Sequence, residues 1–188
     1  MASCTLTQGF LTECLDGQAG ARDIFFANFA DLDSLLTINS DGVVTAFPAG
    51  VTLYRYSGTQ NSISAGNAPV PSRENGTMFY NHTATLKVPK QNAAKHKEIL
   101  GILARARLVA FVRLASNEII MLGYESGLYL DPASNASSGL ASGDFEGYDL
   151  SWLGEEPNPG RFLQAYTQYP FDNYAADVTI DPPFVPVS

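Results

Sequence analysis

The sequence has very few residues of the types that bind metals or cross-link a chain. Its 188 residues include two cysteines, Cys4 and Cys14, and two histidines, His82 and His96. Two cysteines ten positions apart and two distant histidines do not provide the ligand spacing of a structural zinc site. The cysteines could form a disulfide, but nothing around them demands one. We therefore expect no metal and no other cofactor.

Long apolar runs are also missing. No stretch approaches the roughly 18 consecutive apolar residues of a membrane span. The first residues, Met-Ala-Ser-Cys-Thr-Leu-Thr-Gln, lack the basic and apolar regions of a signal peptide. We therefore expect an aqueous, reducing compartment and no membrane partner.

Basic residues are scarce relative to acidic ones, with 11 against 19 and a net charge of −8. Proteins that hold nucleic acid do so largely through Lys and Arg on phosphates, so this balance argues against such a function. Seven of the basic residues lie between Lys87 and Arg113, and eleven of the acidic ones lie from Glu118 onward. This uneven distribution could orient neighbouring copies in an assembly, although a solvated basic helix explains it more simply.

Sequence motifs of catalysis are absent as well. The chain has no nucleophile elbow, P-loop, dinucleotide-binding fingerprint or zinc-protease motif. Asp144 to Glu155 has the length of a calcium loop, but Tyr148 and Asp149 replace its fifth-position oxygen ligand and its sixth-position glycine. We favour a turn that opens a strand, and we expect that the protein is not an enzyme.

The clearest positive signal is a strand, a helix and a hairpin in succession. Gly76 to Val88 alternates apolar even positions with polar odd ones, which predicts a strand with one wet face. Asn92 is a candidate N-cap for a helix over residues 91–107. Leu108 to Leu114 and Glu118 to Tyr124 are short apolar runs joined by a polar link, which predicts a hairpin.

The rest of the chain is rich in glycine, proline, aromatic and hydroxyl residues, and this composition favours β structure. We predict a mainly β fold, a sandwich or half-barrel of two packed antiparallel sheets with one flanking helix. The predicted division is an N-terminal arm at 1–23, a single domain at 24–166 and a C-terminal arm at 167–188. Apolar residues in the C-terminal arm predict docking on its own domain or on a neighbour. They are Phe171, Tyr174 and Phe184.

Gly58 to Asn75 is predicted to be a long loop between two strands that pair with each other. A loop of this length without structure of its own is uncommon in a compact domain. It either contacts a neighbouring copy or is a tolerated surface loop.

Several distinctive short phrases together span most of the chain. They are Cys4-Thr-Leu-Thr, Cys14-x-Asp-Gly, Ile24-Phe-Phe-Ala-Asn, Leu122-Gly-Tyr-Glu-Ser-Gly-Leu, Ser138-Gly, Gly143-Asp-x-x-Gly-Tyr148 and Gly154-Glu-Glu-Pro157. These phrases resemble virion proteins of phages of Bacteroidota-type hosts, and the order of elements resembles the tail-tube proteins of long-tailed bacteriophages. The resemblance implies six copies in a ring, with rings stacked into a tube that conducts DNA during ejection. It implies self-association and contacts with other tail proteins. It also implies DNA passage without specific binding, and a place in the virion tail after assembly in the host cytoplasm.

The resemblance also implies roles for particular residues. The long loop would make contacts between subunits through Gly58, Asn61, Asn67, Pro69, Arg73 and Asn75. Val51 to Ser57 and Gly76 to Val88 would form a hairpin beside the bore. Its bore-facing residues would be Thr52, Asn81, Thr83 and Thr85.

Two alternatives remain open from the sequence. One is another ring or connector component of a virion, such as a tail terminator or neck protein. The other is a β-sandwich module that binds a carbohydrate or protein ligand through aromatic residues. These aromatic residues would be Tyr54, Tyr56, Tyr124, Tyr129 and Trp152.

Overall fold

The computed structural model describes residues 19–32, 36–58, 61–72, 74–141 and 143–184. Cys4, Cys14 and Arg73 lie outside these residues, as does most of the predicted N-terminal arm. Antiparallel strands dominate the described residues, and one helical region interrupts them, which confirms the predicted mainly β class.

Thirteen strands and a few helical turns make up the described residues. The strands are β1 (Ala21–Asn28), β2 (Thr37–Ile38), β3 (Val44–Ala46), β4 (Val51–Ser57), β5 (Ile63–Ser72), β6 (Thr77–Pro89), β7 (Leu108–Leu114), β8 (Ile119–Leu122), β9 (Tyr129–Leu130), β10 (Asn135–Ser137), β11 (Gly147–Glu156), β12 (Arg161–Phe162) and β13 (Val178–Asp181). The helices are α1 (Phe29–Leu32) and α2 (Ala93–His96), with a π-helical turn at Lys97–Ile102 and 3-10 turns at Leu103–Arg105 and Asp172–Tyr174.

The larger sheet has the strand order β12-β8-β7-β1-β4-β13. Its central strands carry the uninterrupted apolar runs Ile24–Ala27 and Leu108–Val112, all of which are buried. Strands read as continuous apolar runs when both faces of a sheet are covered. Here one face packs on the smaller sheet and the other on a layer of irregular segments.

The smaller sheet has the order β10-β11-β6-β5, and β9 also pairs with β11. The predicted alternation in β6 is confirmed, because His82, Ala84 and Leu86 are buried while the residues between them are exposed or half-buried. The core between the two sheets is formed by Ile24, Phe26, Ile63, Ala84, Leu86, Ile99, Leu103, Leu108, Ala110, Val112, Leu122, Leu128, Tyr148, Leu150 and Trp152.

The C-terminal segment belongs to the domain and covers the far face of the larger sheet. Phe171 and Tyr174 are buried there, Phe184 packs against them, and β13 pairs in parallel with β4. The Tyr174 hydroxyl donates to the carbonyl oxygen of Val44 at 2.6 Å. Of the two alternatives for this segment, docking on its own domain is the one observed. The larger sheet extends beyond the predicted domain limits of 24 and 166, since Ala21 already lies in β1 and β13 pairs with β4.

The predicted helix forms at the predicted place, but it is irregular. The side chain of Asn92 accepts a hydrogen bond from the backbone N–H of Lys95 at 2.8 Å, which confirms the N-cap. One α-helical turn follows, then the π-helical and 3-10 turns, ending at Arg105. Ile99 and Leu103 anchor this region in the core between the sheets. The predicted hairpin after it is also confirmed, as β7 and β8.

The prediction of a long loop at Gly58 to Asn75 is wrong. Most of this segment is strand β5, which pairs with β6 over ten residues from Ile63 to Ser72. Its Gly, Asn and Pro content gives it low intrinsic strand propensity, so the long partner strand determines its conformation. The strand that precedes it, β4, lies in the other sheet and pairs with β1 and β13, so the predicted hairpin of Val51–Ser57 with Gly76–Val88 is also wrong.

One carboxylate ties the C-terminal segment together, and we expect it to make stability depend on pH. Asp172 accepts hydrogen bonds from the Thr167 hydroxyl at 2.6 Å, and from the backbone N–H groups of Gln168 at 2.6 Å, Thr167 at 3.1 Å and Tyr169 at 3.2 Å. These bonds, that of the Thr167 side chain first, hold the pKa of Asp172 below its usual range. Because the pKa of Asp172 is lower in the folded state than in the unfolded state, ionised Asp172 stabilises the fold at pH values above its unfolded-state pKa of about 4. This stabilisation is lost as pH falls below that value.

We therefore predict that Asp172→Asn lowers the urea midpoint at pH 7, and that its deficit from the wild type shrinks as pH falls from 4 towards 2. Asp177→Asn is the matched control, because no described donor bonds that carboxylate. An Asp172→Asn deficit that stays constant from pH 7 to pH 2 would contradict this role.

Candidate functional site

The outward face of the smaller sheet is mostly hydrophilic around the middle of β6 and its neighbouring strands, and this part is here called the polar face. The apolar residues on the same side of the sheet are Val70, Phe79, Tyr129 and Leu153. Thr85 lies between Ser64 of β5 and Ser151 of β11, and Thr83 lies between Gly66 and Leu153. The alternation of side chains in paired strands places every second residue on this side. The polar face comprises Ser64, Gly66, Ala68, Asn81, Thr83, Thr85, Lys87, Asn135, Ser137, Asp149, Ser151, Leu153 and Glu155.

This face carries little charge and no unpaired cation among the residues described. Lys87 forms an ion pair with Asp149 at 3.0 Å, which leaves Glu155 as the unpaired charge. The hydroxyls of Ser64 and Thr85 hydrogen-bond each other across the strands at 2.7 Å. A polyanion that approaches the polar face therefore meets hydroxyl and amide groups instead of a cationic track.

Three of the four residues predicted to face a bore share this surface, and the fourth does not. Asn81, Thr83 and Thr85 lie side by side on the outward side of β6. Thr52 lies in β4, in the larger sheet, where it is half-buried. The grouping of Thr52 with the others was wrong because β4 and β6 belong to different sheets.

The free edge of β5 offers backbone hydrogen-bonding groups over only half of its length. The backbone N–H of Lys87 donates to the carbonyl oxygen of Ser62 at 2.7 Å. In an antiparallel pair the bonding direction alternates along the strand, so even-numbered residues of β5 bond β6 and odd-numbered ones point away. The outward positions are Ile63, Ala65, Asn67, Pro69 and Pro71.

The two prolines therefore occupy positions where a missing N–H breaks no bond to β6. Pro69 and Pro71 block pairing of another strand along the second half of β5, as proline does at protected sheet edges. Residues 63–67, here called the open edge, keep their outward N–H and C=O groups. Any strand added to this side can pair only with the open edge.

The opposite edge of the same sheet is formed by β10, whose three residues are exposed. β10, β11, β6 and β5 alternate in direction, so β10 and β5 run antiparallel to each other. When copies are related by rotation about an axis parallel to the strands, each strand keeps its direction in every copy. β10 of one copy placed beside the open edge of the next would thus form an antiparallel pair, the arrangement that hairpin-connected sheets already use.

The residues predicted for subunit contacts are divided between the edge strand β5 and the segments at its two ends. Asn67 and Pro69 lie on the edge of β5 itself. Gly58 and Asn61 precede the strand, with Asn61 in a left-handed conformation at φ 62°, and Asn75 lies in the turn between β5 and β6. Arg73 is outside the described residues. Sequence alone missed the edge because it depends on which residues of β5 bond β6.

The aromatic residues considered as a ligand platform do not come together. Trp152 and Tyr124 are buried, and the two that are well exposed, Tyr54 at 40% and Tyr129 at 55%, lie on different sheets. Tyr129 and its cross-strand neighbour Leu153 border a groove of about 490 Å³ on the polar face. The groove thus offers one aromatic ring rather than a stacking platform.

A buried carboxylate that sequence analysis did not identify lies beneath this groove. Glu156 accepts hydrogen bonds from three successive backbone N–H groups, those of Glu125, Ser126 and Gly127, at 3.0, 2.8 and 3.2 Å. Burial raises the pKa of Glu156, and these bonds partly offset that shift. Glu156 therefore fixes the loop between β8 and β9, and its low exposure keeps it from solvent and from any substrate.

His82 lies next to this loop and is also fully buried. Its Nδ1 accepts a hydrogen bond from the backbone N–H of Gly123 at 3.1 Å, so Nε2 carries the proton. Burial lowers the pKa of His82, with the backbone of Asn158 as the main opposing influence, so the ring stays neutral. His82 is thus a core residue.

The candidate calcium loop begins with a turn and continues as strand β11. The Asp144 carboxylate accepts hydrogen bonds from the backbone N–H groups of Ala141 at 2.7 Å and Leu140 at 2.9 Å, and these bonds lower its pKa. Within the residues that the structure describes, no three His, Cys, Asp or Glu side chains cluster as metal ligands. Nor does any helix among them have the length and apolar character to cross a bilayer.

Comparisons with known proteins do not add a relative to these observations: no protein-family model, no curated protein and no solved structure matches the chain.

Proposed function

We propose that this protein is a structural subunit of a phage virion, which forms homo-oligomeric rings that stack into a tail tube for DNA. The observation that carries the proposal is the smaller sheet, with its four-strand path, its two free edges and its nearly uncharged outward face. Such a sheet continues from copy to copy when β10 meets the open edge. A ring forms when the rotations between neighbouring copies add up to one full turn. The smaller sheets then leave no exposed edge at either side of a copy.

The dimensions of such a ring suit the proposed cargo. Six copies with four strands each give roughly 24 strands, and at a spacing of about 4.8 Å their circumference is roughly 115 Å. The backbone wall is then about 37 Å across, or more if the strands tilt, and side chains of about 5 Å on each side leave roughly 27 Å. This bore is wide enough for a DNA duplex.

The chemistry of the polar face suits passage instead of binding. Non-specific affinity for DNA comes from cations that neutralise phosphates. The one lysine on the polar face is paired with Asp149, and the protein as a whole carries a net charge of −8. A bore lined by this face would let DNA move without holding it. The partners proposed are therefore other copies, other tail proteins and DNA in transit, in a virion assembled in the host cytoplasm.

Blocking the open edge tests the proposal directly. We predict that the double variant Ala65→Pro/Asn67→Pro raises the concentration needed for self-association about tenfold or more, since it removes two donors worth about 1 kcal/mol each. Both positions point away from β6, so the ladder within the subunit remains. Sedimentation velocity across a concentration series measures the effect.

The matched control is Ala65→Ser/Asn67→Ser, which keeps both N–H groups. It should assemble as the wild type does. Equal assembly by the proline and serine variants, with unchanged circular dichroism, would exclude the open edge as the contact. Rings that never stack would instead favour a terminator or neck component.

A second prediction concerns the polar face. Thr83→Lys/Thr85→Lys should leave assembly intact but create salt-dependent binding of duplex DNA that the wild type lacks, because the lysines supply unpaired cations. Fluorescence anisotropy with a labelled duplex at 50 and 200 mM salt measures it. Ser57→Lys, on an exposed position of β4, is the control for added charge elsewhere. Strong DNA binding by the unmodified protein would contradict the role of this face.

A further inference from the structure

A buried carboxylate in the larger sheet is shared by two arginines. Asp23 is 2% exposed, and its Oδ1 accepts hydrogen bonds from Nε and Nη2 of Arg55, both at 3.1 Å. Its Oδ2 lies 2.9 Å from Nη2 of Arg113. The two arginine side chains are themselves only 21% and 17% exposed. One negative charge therefore serves two positive charges in a largely dry environment.

This arrangement leaves one positive charge without a counter-charge. The Arg55 guanidinium stacks on the ring of Phe184 at 3.9 Å and has both of its Asp23 contacts. The Nε of Arg113, in contrast, is buried and has no hydrogen-bond acceptor within the part of the chain that the structure describes. A buried donor without a partner and a partly desolvated unpaired cation are both costly, and a bound anion would satisfy both.

Arg113 also lines a groove of about 960 Å³. We call it the arginine groove and define it by Arg22, Arg113, Ser116, Asn117, Glu118 and Gln164. Arg22 is exposed and donates to the side-chain oxygen of Asn117 at 3.2 Å, which places a second guanidinium at the groove.

Among the described residues that line the arginine groove, Glu118 is the one carboxylate. It is exposed and forms no ion pair within 4.0 Å with the described cations. The only described hydrogen bond of its carboxylate is a long one of 3.5 Å from the Ser116 hydroxyl. Around the groove, Arg22, Arg55 and Arg113 carry three positive charges, and Asp23 and Glu118 carry two negative ones. One positive charge therefore remains unbalanced, in a protein that is acidic overall.

We propose that the arginine groove binds an oxyanion group, a carboxylate or a phosphate, between Arg113 and Arg22. Planar guanidinium groups match both kinds of anion with paired N–H donors. Because Nε of Arg113 is covered in the free protein, the guanidinium turns towards the groove when the anion enters, while Asp23 keeps it anchored. The groove and the polar face lie on different sheets, so this site is independent of ring formation.

The test compares thermal unfolding of the full chain in sodium phosphate, sodium acetate and sodium chloride at equal ionic strength and pH. We expect phosphate or acetate to raise the unfolding midpoint by about 3 °C at tenfold its Kd, and chloride to have no such effect. A response to phosphate alone, or to acetate alone, identifies which group the site takes. Equal midpoints in all three salts would overturn the proposal.

Two variants locate the effect. Arg113→Gln should lose the oxyanion response and yet be no less stable than the wild type in chloride, because Asp23 and Arg55 remain as a balanced pair. Arg105→Gln, at the exposed last residue of the helical region, is the control and should respond as the wild type does. An oxyanion response that persists in Arg113→Gln would place binding elsewhere and refute the assignment.

A spectroscopic measurement covers the case in which Arg113→Gln fails to fold. In the wild type, the Nε–H resonance of Arg113 should shift on addition of inorganic phosphate or acetate, while that of Arg55, already bonded to Asp23, should move little. Unchanged Nε–H resonances of both arginines would contradict binding at this groove.

Discussion

Replacing Asp23 by alanine is expected to lower the free energy of unfolding by about 3 kcal/mol or more. The change removes the single carboxylate that Arg55 and Arg113 share, at 3.1 and 2.9 Å, and leaves two mostly buried cations facing each other. Loss of one partner of a buried ion pair is far more damaging than loss of the whole pair, since the remaining charge stays desolvated. Urea unfolding followed by circular dichroism gives the value.

The control for this prediction is the ion pair of Lys87 and Asp149, the other one among the described residues. Lys87 and Asp149 are 51% and 45% exposed, and pairs of this kind contribute about 0–1 kcal/mol. Asp149→Ala should therefore change stability little. If Asp23→Ala and Asp149→Ala lower the free energy of unfolding equally, the Asp23–Arg55–Arg113 cluster does not stabilise the fold more than an exposed ion pair does.

Replacing Trp152 by alanine should cost about 3–5 kcal/mol, the range for a large aromatic lost from a core. Trp152 is fully buried between the sheets, with its ring 4.6 Å from that of Phe26. Its Nε1 has no hydrogen-bond partner in the described structure, so its stabilising contribution comes from packing and burial. The same urea experiment, followed by circular dichroism, measures the loss.

The neighbouring residue provides the matched control. Leu153 points to the polar face and is 41% exposed. Leu153→Ala should lower the free energy of unfolding by about 1 kcal/mol at most, well below the loss expected for Trp152→Ala. Much of the Leu153 side chain is already in water. A larger loss at Leu153 than at Trp152 would mean that the register of β11 is shifted by one residue, which exchanges the two faces.

The sequence predicted the parts of the fold where local pattern and environment agree. The alternation in β6, the Asn92 cap and the β7–β8 hairpin were all visible, since each depends on residues close together in the chain. These elements make up the middle of both sheets, and the mainly β class followed from them.

The features that were missed depend on contacts between distant residues. β5 has few residues that favour a strand, and its partner β6 determines its shape. Residues after Thr167 look like an arm because prolines interrupt them, yet Phe171 and Tyr174 fill the far face of the larger sheet. Glu156 could not be identified from sequence, because its three donors lie about thirty positions away.

The same distinction applies to the candidate site. Asn81, Thr83 and Thr85 were predicted to share a face, and they do, because they are alternate residues of one strand. Thr52 was added on the assumption that β4 and β6 are neighbours, and sheet order is not encoded locally. The open edge, to which the assembly proposal assigns the contact between copies, came from the structure alone, because it requires the hydrogen-bonding direction of β5.

Negative-stain microscopy of the purified protein over a concentration series, with light scattering on the same samples, tests the central proposal most directly. Assembly through the open edge and β10 predicts closed rings, or hollow tubes with a bore of roughly 27 Å for six copies. The Ala65→Pro/Asn67→Pro variant should give neither at the same concentrations. A wild-type protein that stays monomeric at every concentration, with or without other tail proteins, would contradict the proposal.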